Sequence, residues 1–181
     1  MKKTVRKMFF AWNGDKEKEF LEEMALKGYR LVKVKFGKYV FEEEQPKKLI
    51  YQFDFRSFDK ISEAEYLQIY EDAGWSFVAR IAGWYYFSRE WNQEEIDLSL
   101  FNNNRSRSAM YKRLLFFLLL TGFPLYYQVL LFFPAMTEAK IELPRFYFLF
   151  RIIVLILTGL HLLAVVRIFY LYLNIKRDIS E

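Results

Sequence analysis

Two apolar stretches decide the fold of this chain: LLFFLLLTGFPLYYQVLLFF at residues 114–133 and FYFLFRIIVLILTGLHLLAVVRIFYLYL at residues 146–173. The first carries no charged residue, and its length as a helix is about 30 Å, the thickness of the hydrocarbon core of a bilayer. Neither stretch alternates apolar and polar residues as a membrane-barrel strand does. Because a helix satisfies its own backbone hydrogen bonds in lipid, the sequence predicts transmembrane helices at residues 113–133 and 146–173, joined by an external loop at residues 134–145.

The distribution of charge predicts the orientation of this helical hairpin. Residues 1–100 carry 17 Lys and Arg against 18 Asp and Glu, whereas residues 101–181 carry 10 against 4, so the second part holds the excess behind the net charge of +5. Lys and Arg are more frequent beside the outer ends of the two helices than in the loop: Arg105, Arg107, Lys112, Arg113, Lys176 and Arg177 against Lys140 and Arg145. The positive-inside rule therefore places both termini in the cytoplasm of a multi-pass plasma-membrane protein. The N-terminus also lacks the apolar core and cleavage pattern of a signal peptide.

An internal repeat organises residues 1–92, which we expect to form a cytoplasmic α+β domain. At an offset of 46, residues 17–41 match residues 63–87 without a gap. Each copy predicts a βαββ unit, in which Gly28 or Gly74 ends the helix and a glycine turn joins the last two strands. The sequence therefore predicts a duplicated, ferredoxin-like α+β sandwich, with both helices on one face of an antiparallel sheet, followed by the transmembrane hairpin.

Local signals predict where the elements begin and end. Asp15 suits the N-cap of the first helix, and Ser62 with Glu65 suits a capping box for the second. Residues 93–112 are polar and rich in turn-forming residues, as is typical of a linker. Residues 174–181 are expected to form a cytoplasmic tail.

Several short motifs resemble one bacterial module. They are FLEEMALKGYRL at residues 20–31, YVF at residues 39–41, YQFD at residues 51–54, and a Tyr-to-Trp segment at residues 66–75. The resemblance covers residues 5–90 and is to a membrane-protein family of unknown function, common in Firmicutes, with a duplicated aromatic-rich N-terminal module. Its genes often lie near those of PadR-type transcriptional regulators. The resemblance implies a fold and, by analogy, a regulator or a transport system as partner, and it brings no catalytic residues.

Polar residues inside the two apolar stretches are candidates for contacts between helices. The candidates lie about halfway along each stretch: Thr121, Tyr127, Gln128, Thr158, Gly159 and His161. Because lipid offers no hydrogen bonds, we expect them to face one another or a partner's helices, with the first helix packed close against Gly159. His161 is expected to bond a neighbouring hydroxyl, carbonyl or amide, with Tyr126, Tyr127, Gln128 and Thr121 as possible partners, and a proton-relay or ligand role is the alternative.

In the N-terminal region, four aromatic residues are candidates for an interaction surface: Trp75, Trp84, Tyr86 and Trp91. The alternative for each is ordinary packing in the core. Asp54 alternates with Gln52 and Arg56, so it is expected on a solvent face or paired with Arg56.

The functional prediction rests on the chemistry that the sequence does not contain. It has no cysteine, phosphate-binding glycine loop, nucleophile elbow or metal-ligand motif, so we expect neither an enzyme nor a bound cofactor. Nucleic acid is not expected as a partner, because the positive charge flanks the helices. The leading hypothesis is an integral membrane protein with a regulatory cytoplasmic domain that senses a signal or binds a protein. Its partners are then the lipid bilayer and either a regulator, a transporter subunit or a second copy. The alternative is an accessory subunit of a membrane transport complex.

Overall fold

A computed structural model describes residues 1–56, 61–91, 96–139 and 144–180, which form a mixed α/β domain followed by two long apolar helices. The elements are β1 (Lys2–Arg6), α1 (Gly14–Leu26), β2 (Tyr29–Lys35), β3 (Lys38–Glu43), β4 (Leu49–Phe55), α2 (Glu63–Asp72), β5 (Ser76–Ile81), β6 (Trp84–Glu90), α3 (Ile96–Tyr127), α4 (Phe133–Glu138) and α5 (Arg145–Ser180). A 3₁₀ turn at Ala11–Asn13 precedes α1, and a π-helical segment at Gln128–Phe132 joins α3 to α4.

The strands form two three-stranded antiparallel sheets, with the order β1-β3-β2 in the first sheet and β4-β6-β5 in the second. The prediction of one antiparallel sheet is therefore wrong for the described residues. The edge strands β2 and β5 lie next to each other, but each contains a bulge, between Leu31 and Lys33 and between Phe77 and Ala79. A bulge interrupts the ladder and increases the local twist, which explains why the two edges do not join into one sheet.

The main core of the domain lies between α1 and both sheets. Its buried side chains are Leu21, Met24, Ala25, Leu31, Val34, Tyr39, Phe41, Leu49, Tyr51, Phe53, Ala79 and Tyr86. Side chains alternate along β6, so Tyr86 joins this core while Tyr85 and Phe87 pack on the other face against Tyr66 of α2. The second sheet is thus covered on both faces, by α1 on one and by α2 on the other.

The helix ends follow the sequence signals in part. Ser62 and Glu65 form the predicted capping box of α2, and Gly28 and Gly74 follow their helices with φ of 80° and 79°. The prediction of Asp15 as an N-cap is wrong, because α1 begins one residue earlier, at Gly14, directly after the 3₁₀ turn.

The region predicted as a turn-forming linker is helical from Ile96 onward, because α3 begins there and continues into the apolar stretch. Residues 93–95 lie outside the described residues. Polar residues such as Asn104 have low helix propensity, but α3 is held by contacts with the α/β domain from Arg107 onward, and a helix that is already formed extends at low cost.

The two apolar helices are longer than predicted. The spans Asn104–Glu138 and Phe146–Ile179 each contain an 18-residue stretch with a mean hydropathy of 1.9 and 2.5, respectively, and are long and apolar enough to cross a membrane. The helical path of the first continues to Glu138, within the predicted external loop, and that of the second to Ser180, within the predicted tail. The π-helical segment lies between Pro124 and Pro134. Each proline lacks a backbone donor, which loosens the regular hydrogen-bond ladder on both sides of the segment.

The two helix-ending glycines provide a matched test of the fold. Both need a left-handed backbone, so Gly74→Ala should lower the free energy of unfolding by about 1 kcal/mol. Gly28→Ala should lower it by clearly more, because a Cβ there would lie 2.7 Å from the carbonyl oxygen of Glu44, whereas nothing lies within 4 Å of the corresponding position at Gly74. Urea unfolding of the detergent-solubilised protein, followed by tryptophan fluorescence, measures both. Equal losses would contradict the close approach at Gly28.

Candidate functional site

The α/β domain packs directly against one end of the pair α3 and α5. Six buried side chains form this contact, here named the junction cluster: Phe55, Met110, Tyr111, Leu114, Ile168 and Ile175. Phe55, at the end of β4, lies with its ring centroid 5.4 Å from that of Phe117 and 5.3 Å from that of Trp84. Burial of one aromatic side chain of this kind stabilises a contact by about 1.5–3 kcal/mol. The domain therefore packs against the helices and is not joined to them only through the chain.

An ion pair between Asp54 and Arg113 lies beside the junction cluster. Asp54 is 7% exposed and accepts hydrogen bonds from the Tyr66 hydroxyl at 2.9 Å and from the Phe55 amide at 2.9 Å. The Arg113 guanidinium, on α3, pairs with the same carboxylate and donates through Nε to the Phe55 carbonyl at 2.8 Å. Burial raises the pKa of Asp54, and the Arg113 charge and the hydrogen bonds oppose that rise.

The prediction that Asp54 faces solvent or pairs with Arg56 is therefore wrong. Both faces of the second sheet are covered, so the face that carries Asp54 is also buried. The Arg56 guanidinium instead lies 4.2 Å from the centre of the Tyr66 ring and donates to the Ile61 carbonyl at 2.8 Å.

A second charged contact joins α3 to α1. Arg107 Nη2 donates to both carboxylate oxygens of Asp15, at 3.0 and 3.1 Å. The Asp15 side chain is 69% exposed, so this pair contributes little to stability, whereas the Asp54 side chain is 10% exposed. The Asp54–Arg113 pair is thus the stronger of the two charged contacts between the domain and α3.

A cavity of about 230 Å³ opens near the same end of the domain. It lies between the β1–α1 segment, the β2–β3 turn and the β5–β6 turn, and its wall is mostly aromatic: Phe9, Phe10, Phe36, Tyr39, Phe53, Trp84 and Tyr86. Glu17 of α1 also lines it, and its Oε1 accepts hydrogen bonds from the Tyr39 hydroxyl at 2.6 Å and the Tyr86 hydroxyl at 2.9 Å. Burial raises the pKa of Glu17, and the two hydrogen bonds oppose that rise.

The predicted aromatic surface is not one surface in the structure. Trp84 and Tyr86 line the cavity, and Tyr86 is buried. Trp75 packs beside the α2 cluster with the Arg89 guanidinium 4.6 Å from its ring centre, and Trp91 lies elsewhere under the ammonium of Lys48. Sequence reasoning did not find Glu17, although Tyr39 and Tyr86 were visible as strand aromatics.

The polar residues halfway along the apolar helices form a single interhelical hydrogen bond among the described residues, with 2.9 Å between the Tyr126 hydroxyl and His161 Nδ1. The close approach of the helices lies at Gly122 and not at Gly159 as predicted. A Cβ at Gly122 would lie 2.4 Å from His161 Cε1, whereas nothing lies within 4 Å of a Cβ at Gly159. Gly122 faces the imidazole directly, whereas Gly159 is exposed and lies on a different face of α5.

The other predicted residues bond within their own helices or face outward. Thr121 donates to the Phe117 carbonyl at 2.9 Å, and Thr158 donates to the Val154 carbonyl at 2.7 Å. Tyr127 is exposed. Two buried atoms, Gln128 Oε1 and His161 Nε2, have no hydrogen-bond partner in the described part of the chain. Across residues 1–56, 61–91, 96–139 and 144–180, no group of three His, Asp or Glu side chains is placed to hold a metal ion.

Removal of the Arg113 charge should destabilise the contact between the domain and α3. Arg113→Gln leaves Asp54 buried without a counter-ion, so the free energy of unfolding should fall by about 3 kcal/mol, near the lower limit for a buried pair because Arg113 is 31% exposed. The pKa of Asp54 is raised, so the folded state favours the neutral carboxyl. Without Arg113 that pKa should rise further, because the charge that opposes the rise is gone. The loss should therefore be complete above the pKa of Asp54 in the variant and decrease as the pH falls from there to the raised pKa of Asp54 in the wild type.

Urea unfolding of the full chain in detergent, at several pH values, measures this effect. Arg113→Lys keeps the charge but cannot reproduce the guanidinium's bonds to both the Asp54 carboxylate and the Phe55 carbonyl. Its free energy of unfolding should therefore fall by less than that of Arg113→Gln. Arg105→Gln is the matched control, because Arg105 is an exposed residue of the same helix without an ion pair among the described residues. A loss for Arg105→Gln as large as that for Arg113→Gln would contradict the role of the pair.

The close approach at Gly122 gives a further matched pair of variants. Gly122→Leu should separate α3 from α5 and lower the temperature at which the detergent-solubilised protein loses its monodisperse elution, because the added side chain meets the His161 ring. Gly159→Leu should leave that temperature unchanged, since the site is open. The reverse order of the two effects would show that the helices meet on other faces.

One family profile matches the chain over residues 13–123, and its description is a protein of unknown function, DUF2812. The match begins just before α1 and ends within α3, so it includes Glu17, Asp54 and Arg113. No curated protein and no solved structure matches the chain. Because the profile covers well over half of the residues, this chain belongs to the DUF2812 family of proteins of unknown function.

Proposed function

We propose that the protein crosses the plasma membrane twice, with both termini in the cytoplasm, and that its α/β domain is a regulatory sensor coupled to the two helices. The observation that carries this proposal is the ion pair between the buried Asp54 and the half-buried Arg113, because it ties the domain to α3 at the edge of the apolar span. A flexible linker between the domain and the helices would not require an ion pair where the domain meets α3. A sensor that must pass a change of shape to the helices needs such a rigid contact.

The depth of the junction supports a domain lying on the membrane surface. Leu114 is the first residue of the apolar stretch at residues 114–133, and Ile168 lies inside the stretch at residues 146–173. Both belong to the cluster that contacts the domain. Phe117, one turn further along, touches Phe55. The domain therefore lies where the helices would enter the bilayer.

Exposed apolar side chains at the same end of the domain also support this placement. Met8, Phe10 and Phe36 are 59%, 53% and 85% exposed, and all three line the cavity together with Trp84, which packs against the junction cluster. Exposed lysines Lys7 and Lys35 flank them. Apolar side chains with flanking lysines suit the headgroup region of a bilayer that contains anionic lipids.

We also propose that the domain arose by duplication of a βαββ unit. Both sheets have the same strand order, and the two bulges lie 46 residues apart, at the offset of the sequence match. The arrangement differs from a ferredoxin-like sandwich in having two sheets. The resemblance to a bacterial module encoded near PadR-type regulators supports a protein partner, either a regulator or a transport system.

A second candidate function, an accessory subunit of a membrane transport complex, is favoured by one observation in the apolar helices. Gln128 Oε1 and His161 Nε2 are buried yet have no hydrogen-bond partner among the described residues. Buried polar atoms in lipid are costly unless a donor or acceptor reaches them. A helix of a partner subunit would supply the missing groups.

Single-cysteine variants test the membrane placement, because the chain has no native cysteine. A lipid-sensitive fluorophore at Phe36→Cys should be quenched by nitroxide-labelled lipid when the full chain is in proteoliposomes, since this exposed tip lies on the bilayer. The same label at Gln45→Cys, at the opposite end of β3, should not be quenched. Equal quenching at the two positions would contradict a domain lying on the membrane through its cavity end.

Two further positions serve as controls for the span itself. A label at Leu157→Cys, halfway along α5, should be strongly quenched, and its failure to respond would refute the membrane span as a whole. In intact cells, an impermeant thiol reagent should modify Thr137→Cys but modify Gln45→Cys only after permeabilisation. The opposite pattern would reverse the proposed orientation.

A further inference from the structure

Glu17 carries a buried carboxylate that faces the cavity without a neutralising cation. We propose that the cavity binds a small organic cation with an apolar body, of the arylalkylammonium class, whose ammonium group pairs with Glu17. The inference deepens the sensing role proposed above and rests on it, because it names the class of ligand that the α/β domain would sense.

The second βαββ unit shows what the first one lacks. Glu63, which lies 46 residues after Glu17, accepts a hydrogen bond from the Tyr85 hydroxyl at 3.1 Å, just as Glu17 does from the equivalent tyrosine. Glu63 also forms an ion pair with Arg80. At the position equivalent to Arg80, the first unit has Val34, a buried side chain that lines the cavity. The first unit therefore keeps the carboxylate and the tyrosine but has an apolar side chain in place of the cation.

The geometry of Glu17 leaves one oxygen available to a ligand. The Tyr39 and Tyr86 hydroxyls both donate to Oε1, and Oε2 has no hydrogen-bond partner within the described residues. Glu17 is only 8% exposed. A carboxylate that is withdrawn from water without a counter-ion is destabilised, so a cation beside Oε2 would be favoured over a neutral molecule or an anion.

Other charges near the cavity do not take the place of that cation. The neighbouring Lys18 donates to Gln52 at 2.8 Å, and its side chain is not among those that line the cavity. Lys35 does line the cavity, but its side chain is exposed to solvent, and the groups that act on Glu17 are the two tyrosine hydroxyls and no lysine. Glu17 is thus the charged group with which a ligand in the cavity would pair.

The walls of the cavity suit the apolar part of such a cation. Aromatic rings attract cations through their faces, and Phe9, Phe53 and Trp84 line the cavity together with the two tyrosines. The cavity volume of about 230 Å³ is enough for a single ring with a short ammonium arm. The cavity therefore favours ligands that combine a positive charge, which pairs with Glu17, with an apolar body that fits between the aromatic rings.

Isothermal titration of the full chain in detergent tests the proposal with benzyltrimethylammonium as the probe. The cation should bind saturably, whereas benzoate and benzyl alcohol, which carry the same ring, should bind at least about tenfold more weakly, because neither has a positive charge to pair with the carboxylate. Equal binding of the three compounds, or no binding of the cation, would overturn the proposal.

Two variants locate the binding at Glu17. Glu17→Gln keeps the shape but not the charge and should weaken binding by about tenfold or more. Val34→Arg introduces the cation that the second unit has and should abolish binding by occupying Oε2. Glu19→Gln, an exposed glutamate of the same helix, is the matched control and should bind as the wild type does. Binding that survives both Glu17→Gln and Val34→Arg would place the probe elsewhere.

Circular dichroism and elution volume show whether each variant is folded, and the comparison of the three compounds on the wild-type chain decides the outcome without any variant. Failure of this proposal is distinguishable from failure of the proposed function. The titration is carried out in detergent and does not depend on membrane placement, whereas the cysteine labels report placement and not binding.

Discussion

The buried Asp54 of β4 pairs with the half-buried Arg113 of α3 where the α/β domain meets the apolar helices. The carboxylate also accepts hydrogen bonds from Tyr66 and the Phe55 amide, so helix α2, strand β4 and helix α3 converge on one group. A buried ion pair of this kind adds little net stability, since desolvation of the two charges offsets their attraction. Its effect is on geometry, because any displacement of the domain from α3 would leave a charge buried without its partner.

This constraint makes the junction a suitable place for a change in the domain to reach the helices. Trp84 lines the cavity beside Glu17 and also packs against Phe55 of the junction cluster. A ligand that moves Trp84 would therefore press on the same residues that hold Arg113. Packed side chains transmit such a shift because the interior has few voids to absorb it. The cavity and the helices are thus joined through three contiguous residues, Trp84, Phe55 and Arg113, and no long path is needed.

The two βαββ units share a strand order but differ in what surrounds their glutamates. Glu63 lies on the surface with Arg80 beside it, whereas Glu17 is covered by the second sheet and receives the Tyr86 hydroxyl from the other unit. Burial of the first unit's carboxylate follows from the way that the second sheet packs over α1. The same local sequence pattern thus produces a solvated ion pair in one unit and, in the other, a buried carboxyl group at a cavity with no ion-pair partner among the described residues.

The sequence by itself determined those features that depend on short-range physics. The lengths of the apolar stretches, the capping box at Ser62 and the glycines that end α1 and α2 follow from neighbours within a few residues, and the repeat predicted both strand–helix–hairpin units. The tertiary structure decided what depends on distant contacts: the separation into two sheets, the helical conformation from Ile96 onward, the burial of Asp54 and the close approach at Gly122. Asp54 illustrates the reason. On β4 alone it alternates like a solvent-facing residue, and it is buried only because α2 and α3, encoded elsewhere in the chain, pack over that face and bring Arg113 to it.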